Sequence, residues 1–140
     1  MIYLLNLKLT FSLPNLFEMK KDDIIVNPSK EFLEERIQLI KEHINSRINV
    51  KIDISEIADI ACLSKFYFIR VFTEMCGCTP YQYITGQKIN KAKDMLINEN
   101  NSIRDISFEC GYNSTQSFRQ CFKKQTGLSP SEYREMIQQK

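Results

Sequence analysis

The chain has 140 residues, of which 43% are hydrophobic and 26% are charged, with only four glycines and four prolines. This composition disfavours a disordered chain and favours one helical globular domain, and the net charge of +2 indicates no partner by itself. Five cysteines without regular spacing and a single histidine disfavour a disulfide framework and a zinc site, so no cofactor or metal is expected. No apolar run of about 18 residues occurs, so we expect a cytoplasmic protein with reduced thiols and no membrane span.

The first 30 residues form an extension that precedes the predicted domain over residues 31–140. Residues 5–13 alternate strictly between apolar and polar side chains, which predicts a strand with one buried face. A lone strand needs a partner, so it would dock on the helical body, pair with another copy or be the remnant of a larger domain. Residues 20–28 then form a polar linker.

The first helix of the domain is predicted to start at the end of this linker. Asn27 has the side chain of a helix N-cap, and Pro28 suits the first helical position. Apolar residues then recur at helical spacing, and the helix should end near Arg47 or Asn49. The residues that set this spacing are Leu33, Ile37, Ile40 and Ile44.

Two shorter helices complete what we name the first unit, residues 31–78. Asp53 and Glu56 have the spacing of a capping box, which predicts a helix from residue 54 to about residue 62. Ser64 is placed to cap the next helix, and Gly77 suits its left-handed stop. A short helix, a tight turn and a second helix are the parts of a DNA-binding helix-turn-helix.

A longer linker helix follows, with Thr79 and Pro80 at its start, and is predicted over residues 80–98. The pattern of the first unit then returns about 50 residues later, which predicts a second unit over residues 102–138. The turn between its two short helices holds one extra residue. The matching residues are Ile54, Ile57, Leu63, Phe68, Phe72, Gly77, Pro80 and Tyr83, and then Ile103, Ile106, Tyr112, Phe118, Phe122, Gly127, Pro130 and Tyr133.

The second short helix of each unit is the candidate for reading DNA bases, and its helical spacing separates an inward face from an outward face. The inward stripes, predicted to be core, are Phe68, Val71, Phe72 and Met75, and then Phe118, Cys121, Phe122 and Gln125. The outward sets are Phe66, Ile69, Arg70 and Thr73, and then Gln116, Arg119, Gln120 and Lys123.

These outward side chains have the chemistry that base edges require. Glutamine bonds adenine bidentately, and arginine bonds guanine in the same way. In the first unit Arg70 would read guanine, while Phe66 and Ile69 would pack on thymine methyl groups. Lys123 and Lys124 suit phosphates. The alternative is a solvated helix face, with the two apolar side chains covered by the first helix or by the N-terminal strand.

The linker helix sets the distance between the two units. Its length of about 18 residues corresponds to about 27 Å, near the ~34 Å between successive major-groove faces on one side of a duplex. The two units would therefore enter adjacent major-groove segments of one site. Lys88 and Lys91 lie three residues apart on this helix and would face the DNA backbone, or else simply be solvated.

Several segments resemble the AraC/XylS family of DNA-binding domains. The second unit carries the most specific match, over residues 103–112 (IRDISFECGY) and 117–134 (SFRQCFKKQTGLSPSEYR). The first unit is similar over residues 54–58 and 63–77, and the linker helix over residues 90–96 (NKAKDML). The resemblance covers about residues 31–138.

This resemblance implies an all-α fold of two helix-turn-helix units joined by a long helix. It also implies a bacterial regulator of transcription that binds promoter DNA, most often as an activator in contact with RNA polymerase. Departures from the family pattern at Ile69, Thr73 and Gln120 concern the base preference and not the fold. The implied base readers are Phe66, Ile69, Arg70, Thr115, Gln116, Arg119 and Gln120, and the expected phosphate contacts are Lys65, Lys88, Lys91, Lys123 and Lys124.

Other interpretations stay open at this point. Most members of the family carry a separate sensing or dimerisation domain, so the chain is either a single-domain regulator or a DNA-binding fragment of a larger one. A helix-turn-helix also serves as a protein-interaction module, and Cys76 and Cys78 would allow a thiol sensor. No catalytic triad, metal spacing or phosphate loop favours an enzyme. A chain with two helix-turn-helix units could bind DNA either as a monomer or as a dimer.

Overall fold

The structure, a computed structural model, describes residues 28–140, and the strand predicted over residues 5–13 lies outside them. The described residues form seven α-helices and no strand, which confirms the predicted all-α class. No helix among residues 28–140 is long and apolar enough to cross a membrane. The helices are α1 (Lys30–Ser46), α2 (Ile54–Ile60), α3 (Lys65–Cys76), α4 (Pro80–Leu96), α5 (Ile103–Glu109), α6 (Thr115–Thr126) and α7 (Pro130–Gln138).

The start of α1 differs from the prediction. Ser29 is the N-cap, and its hydroxyl accepts a hydrogen bond from the Phe32 amide at 3.2 Å. The predicted use of Asn27 as the cap and Pro28 as the first helical residue was therefore wrong. A serine directly after the proline offers an equivalent oxygen acceptor, and Pro28 precedes the helix. The helix ends with Arg47 as its C-cap, as predicted.

The predicted capping box of α2 forms only in part. The Asp53 carboxylate caps the helix and accepts from the Ser55 amide at 2.7 Å. The Glu56 carboxylate, expected to bond back to the cap, instead accepts a hydrogen bond from the Arg47 guanidinium at 3.0 Å. A charged donor that tertiary folding brings close competes successfully with the backbone amide for this carboxylate.

Two separate cores form, one in each unit, and α4 contributes to both. Ile84 in the first half of α4 packs into the first core, while Ile89, Ala92 and Leu96 in its second half pack into the second core. Each large apolar side chain buried in this way contributes about 1.5–3 kcal/mol to the free energy of unfolding. The linker helix is therefore a wall shared by both units.

The internal repeat is reproduced in the packing. In each unit a phenylalanine of the second short helix meets a tyrosine of the following helix edge to face, an arrangement that aromatic rings favour. Phe72 and Tyr83 have their ring centroids 5.5 Å apart, and Phe122 and Tyr133 have theirs 5.4 Å apart. The proline-started helices thus hold the candidate reading helices by equivalent contacts in both units.

The ends of the two inward stripes were predicted incorrectly. Met75 is 36% exposed and Gln125 is also exposed, although both were expected to be core. Each lies two residues before a glycine in the left-handed conformation, Gly77 with φ 73° and Gly127 with φ 83°. The last turn of each helix therefore projects past the core that its earlier turns cover.

Candidate nucleic-acid interface

Fully buried phenylalanines anchor the two candidate reading helices. Phe68 and Phe72 on α3, and Phe118 and Phe122 on α6, have no exposed surface. Serine N-caps fix the start of both helices, since the Ser64 hydroxyl accepts from the Tyr67 amide and the Ser114 hydroxyl accepts from the Ser117 amide. With one face fixed in the core, the opposite face of each helix must point to solvent.

The outward face of α3 combines one apolar and one basic side chain. Phe66 is 84% exposed, more than any other large hydrophobic residue among residues 28–140. Arg70 is exposed, stacks over the Tyr67 ring at 5.1 Å and forms an ion pair with Glu74. Ile69 is half-buried and packs against the first core. Within residues 28–140 the helical body thus covers Ile69 in part and leaves Phe66 exposed, while the N-terminal strand considered as a cover lies outside the described residues.

The outward face of α6 is polar and basic. Gln116, Arg119 and Gln120 are all exposed, and so are Lys123 and Lys124 in the last turn. The structure therefore brings three predicted base readers and two predicted phosphate contacts together on one solvent-facing surface. Their order along the helix places the readers nearer its N-terminus and the lysines nearer its C-terminus.

Thr115, the remaining predicted base reader, bonds within its own unit. Its hydroxyl lies 3.3 Å from the hydroxyl of Ser107, a fully buried residue of α5. Because Ser107 donates its single hydroxyl proton to the Arg104 carbonyl at 2.6 Å, Thr115 must be the donor of this pair. Sequence reasoning missed this bond, which ties the first residue of α6 to α5.

The two candidate reading helices differ in charge. Helix α3 carries Lys65, Arg70 and Glu74, giving a net charge of +1, whereas α6 carries three basic residues and no acidic one, giving +3. Lys124 occupies the place in the second unit that Glu74 holds in the first. The second unit therefore presents the stronger attraction for a polyanion.

The five lysines expected to contact phosphates lie in two kinds of environment. Lys65 at the start of α3 is exposed, like the two lysines of α6. Lys88 and Lys91 on α4 instead donate hydrogen bonds to main-chain carbonyls at the end of the α5 segment. The Lys88 ammonium bonds the Gly111 carbonyl at 3.3 Å, and the Lys91 ammonium bonds the Glu109 carbonyl at 2.8 Å.

All five cysteines are free thiols. Burial raises the pKa of Cys110 to about 11, and burial likewise raises the pKa of Cys62 and Cys76. A thiol with a raised pKa holds little thiolate at neutral pH, so these three are poor nucleophiles. In the part of the chain that the structure describes, no group of three or more His, Cys, Asp or Glu side chains is arranged to hold a metal ion.

Comparison with known proteins places the chain among helix-turn-helix domains. A family model described as a helix-turn-helix domain matches residues 57–136, more than half of the chain. The chain is 33% identical over 102 residues to the bifunctional transcriptional activator/DNA repair enzyme AdaA of Bacillus subtilis, a match that covers 73% of this chain and 48% of AdaA. The chain spans less than half the length of the curated relatives it matches.

Solved structures share the arrangement of helices. The DNA-binding domain of AdpA, a global transcriptional factor solved in complex with a target DNA, superimposes with a TM-score of 0.64 at 28% identity, covering 74% of this chain and 90% of that chain. An AraC-type regulator from Chromobacterium violaceum superimposes with a TM-score of 0.68 at 22% identity. The match covers 73% of this chain and 91% of that chain and shows that the two share a fold. With its two repeated units and a family model that matches more than half of its length, the chain belongs to the AraC-type helix-turn-helix family of DNA-binding domains.

Proposed function

We propose that this protein regulates transcription in a bacterium by binding promoter DNA through α3 and α6, which enter successive segments of the major groove. The observation that carries the proposal is the pair of equivalent helices, each anchored by buried phenylalanines and each turning an uncovered face to solvent. A helix fits the major groove, where the base edges carry a distinct pattern of donors and acceptors. The 17 residues of α4 correspond to roughly 26 Å between the two units.

Base recognition is proposed to differ between the two helices. On α6, Gln116 and Gln120 are suited to adenine and Arg119 to guanine. On α3, Arg70 has the same chemistry as Arg119, whereas Phe66 offers an exposed ring for thymine methyl groups. Ile69 and Thr115 stay in the proposed set as residues at the edges of the contact surface. The first unit would thus rely more on contacts with thymine methyl groups than the second unit does.

The phosphate contacts that we propose are Lys65, Lys123 and Lys124, whose ammonium groups are exposed. Each neutralised phosphate releases counterions, so these lysines strengthen binding to every sequence and make it depend on salt. Lys91 remains a weaker candidate because its ammonium already bonds a carbonyl. Lys88 was expected to serve phosphates as well, and a different role for it is argued below.

The wider biological role is also part of the proposal. Since the matches cover 40%, 48% and 31% of three curated relatives, the activity of this chain as a regulator is inferred from the DNA-binding part alone. One relative is named a transcriptional activator, which supports activation with RNA polymerase as a second partner. A protein that acts on promoter DNA in a bacterium would work in the cytoplasm.

Selection of bound duplexes from a randomised pool, followed by titration of the selected site at several salt concentrations, tests this proposal. The expected result is an asymmetric site with two short blocks about one helical turn apart and a steep loss of affinity with salt. A palindromic site would instead show that two copies bind together. Failure to enrich any sequence at any salt concentration would overturn the proposal and favour a protein partner.

A further inference from the structure

The turn of the second unit lies directly against the first unit. Gly111 has φ 78°, and a Cβ built on it would lie 2.9 Å from the Ile48 carbonyl oxygen and 3.1 Å from the Asn49 carbonyl carbon. Real Cβ atoms do not approach a backbone oxygen so closely, so only glycine permits this contact. Ile48 itself is buried in the first core, which makes its backbone a fixed surface. The two units therefore meet at a point outside the shared linker helix.

Lys88 reaches this same point from the middle of α4. Its ammonium donates to the Gly111 carbonyl at 3.3 Å and lies 5.3 Å from the centre of the Tyr112 ring. A Cβ on Gly111 would also come within 3.0 Å of this ammonium. One side chain thus contacts the carbonyl and the ring that form the turn of the second unit.

The chemistry of this contact is that of a half-buried cation bonded to a turn carbonyl. Gly111 follows the C-cap of α5, so its carbonyl lies in the turn after the helix, where the Lys88 ammonium donates to it. Burial lowers the pKa of Lys88, in keeping with an ammonium removed from water. A phosphate contact would require the ammonium to leave both the carbonyl and the aromatic ring.

We propose that Lys88 is a positioning residue that fixes the second unit relative to the first, and thereby sets the number of base pairs that the protein accepts between the two halves of its site. The inference rests on the proposed function. A rigid pair of units is sensitive to this number because each added base pair moves the second half-site by about 3.4 Å and rotates it by about 35°. If the contact at Gly111 is loosened, the second unit gains freedom to follow a displaced half-site.

The test compares Lys88→Met with Lys93→Met, a substitution of another lysine of α4 for which no role in DNA binding is proposed. Affinities are measured for the selected site and for versions with one base pair added or removed between the two blocks. The wild type and Lys93→Met should prefer the selected spacing, and Lys88→Met should reduce that preference roughly tenfold. Urea unfolding checks that each variant is folded, and Lys88→Gln replaces Lys88→Met if the latter is not.

Two results would overturn the inference. An equal loss of affinity at every spacing, together with a salt dependence reduced by about one phosphate contact, would make Lys88 a phosphate ligand. An unchanged spacing preference would show that the contact does not set the geometry. A wild type that selects no two-block site at all would contradict the proposed function itself, and this outcome is visible before any variant is made.

Discussion

Arg70 and Glu74 form an ion pair on the exposed side of α3, with 4.0 Å between the guanidinium Nε and the carboxylate Oε1. Both side chains are about two-thirds exposed, at 67% and 69%, so the pair itself adds little to stability. The pair instead lowers the positive surface potential of α3, because the Glu74 carboxylate cancels one of the two positive charges that this helix carries. In the second unit a lysine, Lys124, stands at the corresponding place.

Replacing this carboxylate should strengthen binding to DNA. Glu74→Gln removes a negative charge beside a proposed base reader, so we expect roughly two- to fivefold tighter binding to any duplex at low salt, with the gain screened at high salt. Fluorescence anisotropy at two salt concentrations measures the effect. Glu42→Gln on α1, outside the two reading helices, serves as the matched control and should change little. Weaker binding to the selected site alone would show that Glu74 orients Arg70 for readout.

The exposed residues of α6 should separate into two classes. Gln116→Ala and Arg119→Ala should each cost about 1–3 kcal/mol on the selected site and change the preferred bases. Lys124→Ala should weaken binding to all sequences alike and flatten the salt dependence, because a phosphate carries no sequence information. Repeating the duplex selection with each variant checks the assignment. Equal, sequence-independent losses for all three variants would mean that the base readers are wrongly assigned.

The single histidine of the chain offers a direct measurement of pH dependence. Burial, and then the nearby positive charge of Arg47, lower the pKa of His43. Because its folded pKa lies below the unfolded value of about 6.5, the neutral ring is favoured by folding. The contribution of the neutral His43 ring to the free energy of unfolding is fully present above the unfolded pKa of about 6.5, and it is lost as pH falls through the folded pKa. Titration of the ring protons by NMR should give a midpoint below 6.5, since no other histidine overlaps.

His43→Gln provides the control for this pH dependence. Urea unfolding between neutral and mildly acidic pH should show a smaller loss of stability in the variant than in the wild type, because the variant has no ring to protonate. A histidine midpoint above the ordinary value would contradict the expected effect of burial.

Two glycines should respond to alanine in opposite directions. Gly86 lies inside α4 with open space around the position of a Cβ, so Gly86→Ala should raise the free energy of unfolding by about 0.5–1 kcal/mol. Gly77 has equally open surroundings but φ 73°, so Gly77→Ala should lower it by about 1–2 kcal/mol. Urea unfolding of both variants makes the comparison. Similar effects for the two would mean that backbone conformation does not decide the outcome.

Several features of the fold could be predicted because they depend on neighbouring residues. Ser64 as an N-cap, Gly77 as a left-handed stop and Pro80 at the start of the linker helix all act within one helical turn. The repeat extends the same signals to the second unit, where Ser129 and Glu132 form a complete capping box. The exposure of Gln116, Arg119 and Gln120 on α6 followed from helical spacing alone, since Phe118 and Phe122 had to be inside.

Other features differ from what the neighbouring residues predicted. Ser29, and not Asn27, starts α1, but this is a small shift between two adequate caps. Glu56 bonds Arg47 because folding brings a charged donor to it from another part of the chain. The partial covering of Ile69 likewise depends on the packing of α3 against the first core. Neither contact leaves a periodic signal in the sequence.

By itself, the sequence determined the helices, most of their caps, the two-unit repeat and most of the faces that point to solvent, because each of these follows from local backbone preferences and from the spacing of apolar residues. Only the tertiary structure decided which charged groups are free. Lys88 and Lys124 look alike in the sequence, yet one bonds the Gly111 carbonyl between the two units and the other is exposed on α6. The physical reason is that a lysine side chain bonds whichever partner the fold brings within its reach, which is a turn carbonyl for Lys88 and solvent for Lys124.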